Sequence, residues 1–144
     1  MSATVRPRVV LATCSLSLFL VTMDITIVNV ALPALGRDLH ASVSGLQWAI
    51  DGYTIVLASF LVLGGSTADR FGRRRIFQIG LSTFTAGSLL CSIAPSLTWL
   101  ILFRMIQAVG GSMLNPVAMS IITNTFTEPR ERARAIGVWG ASSA

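Results

Sequence analysis

The sequence predicts an all-α integral membrane protein, a bundle of four transmembrane helices followed by the start of a fifth. Composition is the first reason. Of 144 residues, 53% are hydrophobic and 12% charged, and the mean hydropathy is +0.72. A soluble domain carries about 25% charged residues. Spacing is the second reason, because the apolar residues fall in runs of membrane-spanning length separated by short polar connections. The third is the placement of the basic residues: all eleven are arginine, and nearly all fall in alternate connections.

The chain opens on a polar stretch, Met1 to Arg8, read as a short N-terminus on the cytoplasmic side. Arg6 and Arg8 before an apolar run resemble the n-region of a signal peptide. The run itself, 9–31, exceeds the 7–15 residues of a signal h-region and shows no small-x-small cleavage site. It matches the ~20 residues needed to span, so it is read as a retained first helix. Further spans are expected at about 46–67, 76–94 and 97–122, with Pro95 and Ser96 turning the third into the fourth. A polar loop, TNTFTEPRERAR, then leads to an apolar stretch at 135–144. Those ten residues or so cover about 15 Å of helix, half the hydrocarbon core, so this span is incomplete.

Nine of the eleven arginines (all but Arg37 and Arg104) lie on one side if the spans alternate. By the positive-inside rule the N-terminus is cytoplasmic and the loop from Gly36 to Gly45 is outside. The net charge of +5 therefore reads as a topology signal and not as a nucleic-acid surface. Gly64 to Arg75, GGSTADRFGRRR, reads as a hydrophilic hinge between the second and third spans. There Gly64 and Gly65 permit close helix approach, and Asp69 caps a helix end or pairs with a guanidinium. Gly72 permits a tight reversal, while Arg73, Arg74 and Arg75 hold the loop at the cytoplasmic face.

Two charges remain inside spans, Asp24 and Arg104, and intramembrane ionisable groups are functional candidates. Asp24 is roughly 22 Å from the cytoplasmic face, and Arg104 roughly 10 Å below the outer one. In a core of ~30 Å these depths are similar, so the two can meet or share a water-filled cavity. Helical phase puts Arg104, Ala108, Gly111 and Asn115 on one stripe flanked by Gln107. On the first span, Thr13, Ser17 and Asp24 share one face, and Ser15, Thr22, Thr26 and Asn29 the opposite one. Plainer readings stand beside these. Asp24 is solvated at an outer helix end, or Arg104 snorkels to the headgroups. Trp48, Tyr53, Trp99 and Trp139 read as interfacial aromatics, and Gly110, Gly111, Gly137 and Gly140 as packing positions. Asn115-Pro116 reads as a bend, and Glu128 and Glu131 as solvated partners of Arg130, Arg132 and Arg134. Cys14 and Cys91 read as lipid- or helix-facing residues. The sequence has one histidine, His40, and no metal-ligand spacing, nucleophile constellation or nucleotide loop, so an enzyme is not expected.

Four stretches together carry a resemblance to the major facilitator superfamily. MDITIVNVALP, Met23 to Pro33, resembles the first-span signature of its drug:proton antiporters. GGSTADRFGRRR resembles the loop motif between spans two and three, and LILFRMIQAVGGSM, Leu100 to Met113, the fourth-span motif R-x-x-Q-G-x-G. With LQWAIDGYTI, Leu46 to Ile55, the combination is most similar to the fourteen-span EmrB/QacA-type branch. The resemblance implies proton-coupled efflux of small amphipathic organic compounds by alternating access, driven by the proton gradient without a cofactor. It implies coupling or cavity roles for Asp24, Arg104, Asn29, Gln107 and Asn115, and a conformational latch built from Gly65, Asp69, Arg70, Gly72, Arg73 and Arg74.

Departures are Thr67 where the loop motif has leucine and Ala108 where the fourth-span motif has glycine. The fifth-span G-P-x-x-G-G motif is not reached. The expected form is the N-terminal part of a longer transporter, whose partners are the bilayer, a small-molecule substrate and the remainder of the transporter. Two alternatives stay open: a small four-span oligomeric multidrug transporter, and a non-transporting membrane fragment or adaptor.

Overall fold

The computed structural model describes residues 6–144, so Met1 to Val5 of the expected N-terminal stretch lie outside the described residues. Five helices follow in order: α1 Pro7–Asp38, α2 Val43–Phe71, α3 Arg73–Ser92, α4 Leu97–Thr125 and α5 Pro129–Ala141. Three of them, α1, α2 and α4, are long and apolar enough to cross a membrane. The third expected span corresponds to α3, which has 20 residues and opens on three arginines, so it falls short of the same measure.

The helices run further than the apolar runs do, because polar helix-forming residues extend them beyond the hydrophobic limit. α1 continues through Gly36, Arg37 and Asp38, which narrows the expected outer loop to residues 39–42. It ends in a Schellman arrangement: His40 takes a φ of 49°, its N–H donates to Arg37 O, and the Ala41 N–H donates to Gly36 O at 3.0 Å. α2 starts on a Ser42 cap, whose Oγ accepts from the Gly45 N–H at 3.1 Å. The expected hinge from Gly64 to Arg75 contracts to a single residue. Only Gly72 leaves the helical conformation, with a φ of 97° that a side chain would oppose. The loop expected before the fifth span also contracts. Pro129 occupies the first turn of α5, and PRERAR is helical.

α4 is the central element. The α4 membrane window is 44% buried, against 11% for α1 and 17% for α2. α3 and α4 run antiparallel with their backbones nearly touching. A Cβ added at Gly110 would lie 2.5 Å from the Phe84 nitrogen and 2.7 Å from the Gly80 oxygen. One added at Gly87 would lie 2.8 Å from the Gln107 Cα. α2 lies parallel to α4 on another side, where Gly64 faces the Ser112 carbonyl. That carbonyl is the one that Pro116, lacking an N–H, leaves without its helical partner. Gly65, by contrast, meets only Pro116 Cβ at 4.0 Å, and Gly137 and Gly140 meet nothing within 4 Å. Those three are not close-packed among the described residues.

Gly110→Ala should lower stability by about 1–3 kcal/mol, because backbone and not a flexible side chain blocks the new methyl. Gly137→Ala, facing open space, should cause no loss. Thermal melting of helical circular dichroism in detergent compares the two.

Candidate functional site

The buried face of α1 is set by Cys14, Ser17, Leu18 and Val21, and one turn further on it presents Asp24. On α4 the buried face includes Arg104, Gln107 and Ala108. The two faces meet where the charges are. Arg104 Nη1 donates to Asp24 Oδ2 at 2.7 Å, and Gln107 Nε2 donates to Asp24 Oδ1 at 2.8 Å. Arg104 Nη1 also donates to Gln107 Oε1 at 3.1 Å, closing a three-residue ring. The Arg104 side chain is 4% exposed and that of Asp24 15%. Neither the snorkelling arginine nor the solvated aspartate describes this arrangement, because each charge has found the other across two helices.

Two further residues complete the cluster. Tyr53 of α2 lies with its ring centroid 4.1 Å from Arg104 Cζ, a cation–π contact on a residue only 3% exposed. Cys91 of α3 approaches Gln107 Oε1 through Sγ at 3.8 Å. Tyr53 is thus a core residue and not an interfacial one, whereas Trp48 and Trp99 are about half exposed. Sequence reading overlooked its signal. Ala49, Gly52 and Tyr53 are spaced i, i+3, i+4, and the two small residues mark the side of α2 that approaches another helix. Beside the cluster a cavity of about 210 Å³ is lined by Asn29, Tyr53, Thr54, Leu57 and Arg104, among others. Arg104 Nε and Tyr53 Oη are buried without a partner.

The remaining predicted residues sit apart. Asn29 is exposed and joins the group only as part of the cavity wall. Asn115 lies two turns beyond Gln107 with its Oδ1 buried and unpartnered. At the α2–α3 break, Arg73 Nη2 donates to Asp69 Oδ1 at 3.3 Å across Gly72, in an exposed pair. Arg70 and Arg74 form no ion pair among the described residues. Nor do Glu128 and Glu131, expected to face the loop arginines; Arg132 Nε instead donates to Phe126 O at 2.9 Å. Among the described residues no group of His, Cys, Asp or Glu side chains is placed to hold a metal ion.

A charge network buried between apolar helices, next to a cavity, marks a candidate functional site. The sequence profile described as Major Facilitator Superfamily matches residues 14–144. The chain belongs to the major facilitator superfamily. Among its relatives, the puromycin resistance protein of Streptomyces alboniger is 48% identical over 124 residues, covering 86% of this chain and 25% of the relative. The methylenomycin A resistance protein of Bacillus subtilis is 38% identical, covering 92% and 28%. The drug efflux pump JefA of Mycobacterium tuberculosis is 36% identical, covering 96% and 27%. The chain therefore spans about a quarter of the length of these major facilitator relatives. It is a multi-pass membrane protein of a transporter family.

Arg104→Ala should destabilise the bundle by about 3–5 kcal/mol, since it leaves the Asp24 carboxylate buried without its counter-charge. Adding Asp24→Asn to that variant should recover a large part of the loss. Chemical denaturation of the single and double variants in detergent reads the difference. Tyr53→Phe should be nearly neutral, whereas Tyr53→Leu should cost about 0.5–2 kcal/mol by removing the aromatic face.

Proposed function

We propose that this chain is the N-terminal part of a proton-coupled exporter of small amphipathic organic compounds. In this reading it resides in the cell membrane with its N-terminus cytoplasmic, as the arginine distribution favours. Export proceeds by alternating access in the full-length form, two helical bundles rocking about a midplane site. The observation that carries the reading is the Asp24–Arg104–Gln107 ring, an ionisable carboxylate held inside an apolar bundle. Relatives named for drug resistance and efflux favour this substrate class.

In this reading Asp24 carries the coupling proton and Arg104 biases its release. The Arg104 guanidinium pairs with that carboxylate at 2.7 Å. Gln107 holds the second carboxylate oxygen, and Asn29 and Asn115 serve as polar cavity groups. Asp69, Arg70, Arg73, Arg74 and the glycines Gly65 and Gly72 form the latch at the α2–α3 break. The proton gradient is the only energy source, and the fourteen-span branch supplies the remaining spans.

The test is drug-driven proton antiport in everted vesicles from cells producing the full-length transporter, with Asp24→Asn as the variant. Antiport should fall at least 100-fold while binding of an uncharged substrate stays within about threefold. Antiport that survives Asp24→Asn removes Asp24 from the coupling role.

A further inference from the structure

A cavity larger than the one at the charge ring lies at the end of the bundle where α1 and α5 begin. It has a volume of about 680 Å³ and lies between the first turns of those helices and the end of α4. Its polar lining includes three cations and one anion: Arg6, Arg8 and Arg134 against Glu131. None of the four is in an ion pair among the described residues. The lining also includes apolar residues, among them Val9, Leu11, Phe126 and Val138. Val9 is 57% exposed and Val138 50%, so the apolar lining is accessible from outside the described bundle.

We propose that this cavity seats the headgroup of an anionic phospholipid, such as phosphatidylglycerol, with its acyl chains along the apolar lining. Charge complementarity favours that occupant: three guanidiniums against one carboxylate suit a single phosphate, and Arg forms bidentate contacts with phosphate oxygens. Position favours it as well. The first apolar residues of α1 and α5 line the same cavity as the arginines, so the site lies at the boundary between headgroups and hydrocarbon. The positive dipole end of α1 also lies at this site, although Pro7 has no N–H and the Val9 and Val10 N–H groups donate to Arg6 O. In α5 the corresponding field is already met by Glu131 in the first turn. That asymmetry places the phosphate nearer Arg6 and Arg8, with Arg134 reaching across. The site is separate from the Asp24 ring and does not depend on transport.

Lipid binding to the purified chain, measured by native mass spectrometry, tests the site with phosphatidylglycerol and phosphatidylcholine of matched acyl chains. Phosphatidylglycerol should bind more tightly. Arg8→Gln with Arg134→Gln should weaken it by about fivefold for each arginine removed, the equivalent of about 1 kcal/mol per cation. Arg75→Gln with Arg130→Gln removes the same charge without touching the cavity and should change binding less than twofold. Glu131→Gln should strengthen binding, and it keeps the test open if the double variant at Arg8 and Arg134 fails to fold. Glycerol 1-phosphate, which lacks acyl chains, should bind far more weakly. Equal losses in the two double variants, no preference over phosphatidylcholine, weaker binding after Glu131→Gln, or equal binding of glycerol 1-phosphate would each overturn the proposal.

Discussion

An ionised arginine inside an apolar bundle cannot stand alone, and the rest of this structure is arranged around that fact. Removing a guanidinium from water costs several kcal/mol, which a counter-charge and additional hydrogen-bond partners must offset. Arg104 has the Asp24 carboxylate on one side, the Gln107 amide oxygen along its own helix and the Tyr53 ring over its plane. The three partners come from α1, α4 and α2. One charge thus fixes the rotation of three helices about their axes, because a turn of any of them by one residue, ~100°, would break a contact.

Holding that set in place requires α4 to be closely embraced, and glycine makes this possible. Gly80 and Gly87 on α3 meet Gly110 and the Gln107 backbone on α4, and Gly64 on α2 meets the Ser112 carbonyl. In lipid there is little hydrophobic gain from bringing helices together, so close backbone approach supplies much of the attraction. The glycines and the polar ring are therefore complementary. The glycines set the distance between helices, and the ring sets their register. Cys91, reaching Gln107 from α3, is where the two meet.

Much of this was legible in the sequence. Asp24 and Arg104 stood out as charges in apolar runs at similar depth, and helical phase placed Gln107 beside Arg104. Gly72 was legible as the turn because nothing else near it tolerates a positive φ. Other features were not. The full helix lengths exceed the apolar spans, since Arg37, Asp38, Asp69 and Arg70 are polar but compatible with helix, and hydropathy registers only the apolar part. Tyr53 passed as an interfacial aromatic because aromatic residues at span ends and in span cores look alike without the Ala49 and Gly52 spacing. Glu128 and Glu131 were matched to nearby arginines by sequence proximity alone. Glu131 lies in the first turn of α5 and Glu128 at its cap, and among the described residues neither is in an ion pair.

The least embraced of the long helices is α1, and this gives the charge ring a second significance. Its membrane window is 11% buried. Among the described residues, the side-chain hydrogen bonds joining α1 to another helix are the two that Asp24 accepts from Arg104 and Gln107. The rest of its attachment includes apolar contact through Cys14, Leu18 and Val21, the approach of Gly36 to Leu46 of α2, and the meeting with α5 at one end. Apolar contacts of that kind are nearly as good with lipid as with protein. The polar attachment of α1 to the core thus rests on one carboxylate. Neutralising that carboxylate would replace an ion pair by a weaker hydrogen bond, while the α3–α4 contact, made by backbone, would be untouched. The Asp24 carboxylate is therefore the polar link that seats α1 on α4 among the described residues.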